Sequence, residues 1–139
     1  MALNGKTAIV TGAAGGIGLA IATRFVREAA RVVIADVDKA KGEAAVRDLS
    51  ASGTATFVQC DVSSSADVAR LVEAAIAAHG DIDILVNNAG IVHGADFLDL
   101  AEADFDRVLG VNLKGSFLVG QAVARHMADR VKAGGKPGS

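Results

Sequence analysis

Tyrosine and tryptophan are absent from this 139-residue chain, and its five phenylalanines are its only large aromatic residues. No phenol is therefore present to pass a proton. One cysteine, Cys60, excludes a disulfide framework and a cysteine-built zinc site, and fits a reducing cytoplasm. Basic charge is not in excess: 16 acidic residues stand against 14 basic ones, a net charge of −2, so no nucleic-acid partner is expected. No apolar run approaches the roughly eighteen residues a membrane helix needs. The start, Met1-Ala2-Leu3-Asn4-Gly5-Lys6, lacks the basic and apolar segments of a signal peptide. The three histidines, His79, His93 and His126, lie far apart without metal-ligand spacing, so no metal site is expected. What remains is a chain 51% hydrophobic and 22% charged, which excludes disorder and points to one domain.

Short apolar runs alternate with longer amphipathic stretches. Residues 7–10 form a buried-strand candidate closed by Thr11-Gly12, and a helix is expected over 16–29 with Ile17, Ile21 and Phe25 on one face. A second strand, 32–35, ends at Asp36. Asp38 is a good N-cap for a helix to about Leu49, supported by a Glu43–Arg47 pair. The third strand, 56–60, ends at Asp61. Ser64 and Asp67 have capping-box-like spacing before a helix striped by Val68, Leu71, Val72, Ala75 and Ile76 and stopped by Gly80. A fourth strand, 82–86, ends at Asn87-Asn88-Ala89-Gly90. Residues 101–130 read as helical with a break near 110–112, and the tail after Lys132, with its one proline, reads as a loop. Non-alternating strands separated by helices argue for an α/β fold. The expected form is a Rossmann-type, doubly wound parallel sheet, truncated after about four strands.

The turn Thr11-Gly12-Ala13-Ala14-Gly15-Gly16-Ile17-Gly18 joins the first strand to the first helix. A helix start presents unpaired N–H groups and partial positive charge, which suits a pyrophosphate. Glycines permit the tight turn and remove the Cβ that would hold phosphate oxygens off. The spacing reads as G-x-x-x-G-x-G and equally as G-x-x-G-x-x-G, because Gly15 and Gly16 are both present. The alternative is a glycine-rich turn without a ligand; the placement between strand and helix favours a dinucleotide. Asp36 follows Gly18 at close to the roughly 20-residue spacing of an acid that holds ribose hydroxyls. A carboxylate there repels a 2′-phosphate, Val37 follows it, and the turn holds no Arg or Lys, so NAD is favoured over NADP. The competing role for Asp36 is to cap the helix near Asp38.

Four stretches in order resemble the short-chain dehydrogenases/reductases, in their classical subtype. The glycine turn is similar to the family's cofactor turn, and Asp61-Val62 resembles the pair bordering the adenine. Asn87-Asn88-Ala89-Gly90 resembles its structural and cofactor motif, and Asn112, within Val111-Asn112-Leu113, its catalytic asparagine. The resemblance covers essentially the whole chain but only the N-terminal half of the family's domain. It implies NAD contacts at Gly12, Gly15, Gly16, Ile17, Gly18, Asp36, Asp61, Val62, Asn88, Ala89 and Gly90, with Asn112 supporting a proton relay. It implies hydride transfer between nicotinamide and a small-molecule alcohol or ketone, with acid–base work by a tyrosine, a lysine four residues later and a serine. It also implies a homo-oligomer through the long helix.

The chain departs from that pattern where chemistry would occur. The Tyr-x-x-x-Lys pair is absent, Ser139 matches only the start of the family's fifth strand, and Ser116 reads as helix packing or surface. The expectation is a truncated enzyme that does not turn over alone, with an open edge at 82–86. Its nucleotide binding should be carried mostly by the adenosine half. The alternative is a non-catalytic dinucleotide-binding module or sensor. Cys60 reads as a small buried group, and His79 and His126 as helix residues. His93, three residues after Gly90, is the candidate for substrate contact. Phe105, Val108, Leu109, Phe117 and Leu118 read as core or subunit-contact positions.

Overall fold

Apolar runs without alternation demand cover on both faces of a sheet, and the chain supplies it. In the computed structural model, which describes residues 1–139, β1 (Thr7–Thr11) is buried throughout and β2 (Arg31–Asp36) at its four central residues. β3 (Thr54–Gln59) and β4 (Ile84–Val86) complete a sheet of order β3-β2-β1-β4. Every pairing is parallel, with Ile9 opposite Val33 and Leu85. The chain builds outward from β1 to β3, then returns to the other side of β1 to lay down β4. That reversal leaves a crevice beyond the carboxyl ends of β1 and β4, where open α/β sheets take ligands.

One face of the sheet packs Val10, Val32 and Ile34 against α1 (Gly16–Arg27) and α2 (Lys39–Ser50). The other packs Ile9, Val33 and Ala35 against α3 (Ser65–His79) and α5 (Ser116–Lys132). The expected stripe on α3 forms, with Val68, Leu71 and Ala75 buried and Val72 and Ile76 beside them. On α1 the expected face is displaced. Gly18, Ala22 and Val26 are the buried positions, Ile17 is 75% exposed, and Ile21 and Phe25 pack at the rim. Small residues let that helix backbone approach the sheet, so side-chain volume rather than hydrophobicity chose the face.

Local pairings also differ. Glu43 faces Lys39 at 3.9 Å instead of Arg47, on an exposed surface where either pair contributes little. The capping box is half made. Ser64 Oγ accepts the Asp67 amide at 3.3 Å, but the Asp67 carboxylate turns to the Asp61 amide at 2.9 Å and to Arg70. Asp38 caps α2 as expected, accepting the Lys41 amide at 3.0 Å, and Gly80 ends α3 at φ +83°.

The break expected near 110–112 is absent. α4 (Glu102–Leu109) runs into α5 through a π-helical turn, Gly110–Gly115, so the helical winding is widened there and not interrupted. The tail is not free of the sheet either. Ser139 donates to Asp83 O at 2.8 Å and accepts from Leu85 N at 2.9 Å, so the edge of β4 is partly taken up. No helix is long and apolar enough to cross a membrane.

Candidate functional site

A cavity of about 450 Å³ opens beyond the carboxyl ends of β1, β2 and β4. Its floor is the glycine turn, where Gly12 and Gly16 hold a left-handed backbone and Gly15 and Gly18 do not. Gly12 sits at φ +64°, donates to Ala35 O at 2.8 Å, and would bring a Cβ to 2.8 Å from Ala89 Cα. A Cβ on Gly18 would collide with the Gly12 carbonyl oxygen and stand 2.5 Å from Asn88 Nδ2. Gly15 is different. Its backbone is extended at φ −166°, open to any residue, and a Cβ there would meet no protein atom. Nothing inside the protein calls for glycine at this position, which lines the cavity.

Gly15 is also the N-cap of α1, and no side chain caps that helix. The first amide bonded within it is Leu19 N–H, to Gly15 O at 3.1 Å. The amides of Gly16, Ile17 and Gly18 therefore have no helical acceptor, and the positive end of the helix is open to an anion. These three residues do not line the cavity walls. Gly18 packs beneath the turn, and what the stretch offers a ligand is backbone.

Asp36 closes one side. Its Oδ2 accepts the Ala14 amide at 3.0 Å and its Oδ1 accepts the Asp38 amide at 3.1 Å. The carboxylate thus ties the glycine turn to the end of β2, and each oxygen keeps a lone pair for a hydroxyl donor. Capping of α2 falls to Asp38 instead. Opposite lie Asp61 and Val62. Asp61 Oδ1 accepts from the Ser63 amide at 2.9 Å and hydroxyl at 2.6 Å, while Val62 is buried against Gly115. Burial, reinforced by the Asp67 and Asp61 charges, pushes the neighbouring Cys60 thiol up to about 11, so it is inert.

The back of the cavity is braced across the sheet. Asn88 Nδ2 donates to Thr11 O at 3.0 Å and Gly12 O at 3.2 Å, and Thr11 Oγ1 accepts the amides of Asn88 and Ala89 at 3.0 Å. Both Asn88 side-chain donors are engaged in holding β4 to the turn. Asn112 lies on the π-helical turn, where its Oδ1 accepts the Ile91 amide at 2.8 Å and its Nδ2 donates to Ile91 O at 2.9 Å. It pins the strand-end loop right after Gly90. Ser116 Oγ donates to Asn112 O at 2.9 Å, in keeping with a packing role. His93 Nε2 lies 3.4 Å from Asp104 Oδ2 beside a second cavity of about 240 Å³. Lys41 and Arg107 also line the main cavity. In the sequence Arg107 reads as part of a solvated helix face with Glu102, Asp104 and Asp106, and no local pattern singles out Lys41.

The sequence pattern of the short chain dehydrogenase family matches residues 6–136. The chain belongs to that family. Among its short-chain dehydrogenase relatives, an uncharacterized oxidoreductase of Mycobacterium bovis is 42% identical over 128 residues, covering 92% of this chain and 52% of that protein. Tropinone reductase-like 1 of Erythroxylum coca is 41% identical over 134 residues, covering 94% of this chain and 48% of that protein. The crystal structure of 3-ketoacyl-(acyl-carrier-protein) reductase from Brucella melitensis complexed with NADH matches with a TM-score of 0.90 at 39% identity. It covers 97% of this chain and 55% of that one. This short-chain dehydrogenase sequence thus spans about half the length of the curated relatives it matches.

Proposed function

We propose that residues 1–139 form one dinucleotide-binding domain, the cofactor half of an oxidoreductase that uses NAD in preference to NADP. When bound, the nicotinamide cofactor supplies or accepts the hydride exchanged with an alcohol or carbonyl carbon. The residues of this chain hold and orient it. The free amides opening α1 take the pyrophosphate, Asp36 accepts from the adenosine ribose hydroxyls, and Asp61 and Val62 border the adenine. Ala89 and Gly90 offer main chain to the remainder, and Asn112 keeps the adjoining loop in place through Ile91. Gly15 carries this reading: a cavity-lining residue with no structural need to be glycine is accounted for by a ligand that needs the space. The related reductase crystallised with NADH supports the choice of cofactor class.

Without a tyrosine, the chain by itself is expected to bind but not to turn over. That same absence favours, as the second reading, a non-catalytic dinucleotide-binding module. Titration calorimetry of the 139-residue protein with NAD and ADP-ribose tests the site. The expected outcome is binding of both with similar affinity, weakened at least about tenfold by Gly15→Val, whose added bulk would occupy ligand space. Binding of NAD that Gly15→Val leaves intact would place the nucleotide elsewhere. Turnover of NAD with an alcohol by the pure 139-residue chain would overturn both its inactivity alone and the module reading.

In an assembled enzyme the partners are a small alcohol or ketone and a second copy of the chain. Phe105, Leu109, Leu113 and Phe117 recur every fourth residue along α4, the π-helical turn and α5, and they are 41% to 67% exposed. A two-fold contact would pair this row with its own copy, a residue near one end meeting one near the other.

A further inference from the structure

Away from the cavity, at the amino end of β1, one side-chain amide stands apart from the others of its kind. Asn87 Nδ2 donates to Ser116 O at 3.1 Å, Asn88 Nδ2 to Thr11 O and Gly12 O, and Asn112 is bonded through both its oxygen and its nitrogen to Ile91. Asn4 instead lies exposed in the turn before β1, and it alone among the asparagines is followed by glycine. The residues around it, Ala2 to Gly5, belong to no helix or strand. Gly5 takes the left-handed backbone at φ +74°, and the space where a Cβ would stand holds no atom within 4 Å. Nothing therefore crowds the approach of its nitrogen to the Asn4 side chain. The Gly5 N–H donates only to Ala29 O, at 3.3 Å, longer than the roughly 2.9–3.0 Å of an ordinary amide bond, so it is loosely held.

We infer that Asn4 is a self-modifying site that converts to a β-linked aspartate and so makes the N-terminal turn a substrate for a methyltransferase of isoaspartyl carboxylates. The Gly5 nitrogen attacks Asn4 Cγ. A C–N bond forms to close a five-membered imide, the Cγ–Nδ2 bond breaks, and ammonia leaves with the proton of the Gly5 amide. Water then opens the imide. Attack at the former side-chain carbonyl gives an ordinary aspartate, and attack at the former main-chain carbonyl gives the β-linkage with a free α-carboxylate. One water enters and one ammonia departs, so no oxidant or reductant is needed. The β-linkage lengthens the main chain by one carbon inside the turn that Lys6 N closes onto Leu3 O at 2.9 Å. It also sets a new negative charge beside Gly5, whose carbonyl accepts from Arg31 Nη2 at 2.9 Å.

Incubation of the folded chain at mildly alkaline pH, followed by digestion and mass spectrometry, tests this. The peptide holding Asn4 is expected to gain about one dalton, the difference between an amide and an acid, and to separate into α- and β-linked forms. The β-linked form is expected to take a labelled methyl group from S-adenosylmethionine when an isoaspartyl methyltransferase is added. Conversion in the folded chain should stay within about tenfold of that in a free peptide of residues 1–8, because the turn leaves both reacting groups accessible. Asn4→Gln, which must close a larger ring, should reduce labelling at least about tenfold. Asn4 is exposed, so this variant is expected to fold, and its melting temperature verifies that. Conversion slower than the tenfold bound shows that the Ala29 bond shields the Gly5 amide and overturns the proposal. So does labelling that survives in Asn4→Gln, or conversion of Asn88 or Asn112 ahead of Asn4.

Discussion

At the residue scale, three glycines of one turn separate shape from ligand. Gly12 adopts a left-handed backbone, Gly18 has no volume for a methyl, and Gly15 has both freedom and room. Gly18→Ala should therefore lower stability by about 1–3 kcal/mol, the usual consequence of overpacking, because its Cβ meets the Gly12 carbonyl. Gly15→Ala should leave the melting temperature unchanged. Thermal denaturation of the two variants checks the contrast, and equal destabilisation would count against it. The glycine run itself was legible in the sequence. Which glycine serves the fold was not, because two of the groups their Cβ atoms would meet, Asn88 Nδ2 and Ala89 Cα, come from just past β4, some seventy residues along the chain.

At the element scale, the π-helical turn Gly110–Gly115 gives Asn112 its position. The widened turn places that side chain against the backbone of Ile91, where one amide group satisfies a donor and an acceptor together. Asn112→Leu keeps the branched outline of the side chain and removes both bonds. It should cost about 1–3 kcal/mol, two ordinary hydrogen bonds. It should also accelerate amide hydrogen exchange at Ile91 without doing so at Leu71 in α3. Exchange at Ile91 as slow as in the unaltered chain would show that something else holds the loop. Low helix propensity at Gly110, Asn112 and Gly115 signalled an irregularity here, and a break was the natural expectation. The structure widens the turn instead, since Val119 and Val123 must still reach the core and Gly115 must fit against Val62.

At the scale of the whole molecule, the end of the sheet opposite the cavity is held by charge. Asp81 meets His126 and Arg130, each at 2.7 Å. Asp83 accepts the Thr7 amide at 2.9 Å and faces Lys6 and Arg130, so α5, β4 and β1 are joined. Burial works against the Asp81 charge, but hydrogen bonds from Arg130, His126 and the Ile82 amide prevail and hold its carboxyl down at about 2. A carboxyl lowered on folding adds stability that is present above its ordinary value of 3.8 and disappears as pH falls through about 2. Unfolding midpoints should thus drop between pH 4 and pH 2. Asp81→Asn should be less stable at pH 7 and show a flatter decline in that window. Parallel curves for the two proteins would remove Asp81 from the account. The opposite side of α5 is bare. The chain exposes 7734 Å², about 1,000 Å² more than the roughly 6,700 Å² expected for a globular protein of its mass. Light scattering should show self-association that Leu113→Glu abolishes; a monomer at every concentration would rule out the Phe105–Phe117 face as a dimer contact.

Local pattern was sufficient for the order of strands and helices, the position of the glycine turn and the acid ending β2. Periodicity, strand ends and turn residues are all written within a few neighbours of one another. Tertiary packing decided which face of α1 meets the sheet, how 110–115 is wound, and where Lys41 and Asn112 are brought to bear. Each of these depends on groups from distant parts of the chain competing for the same space or the same hydrogen bond, and no local window holds both competitors.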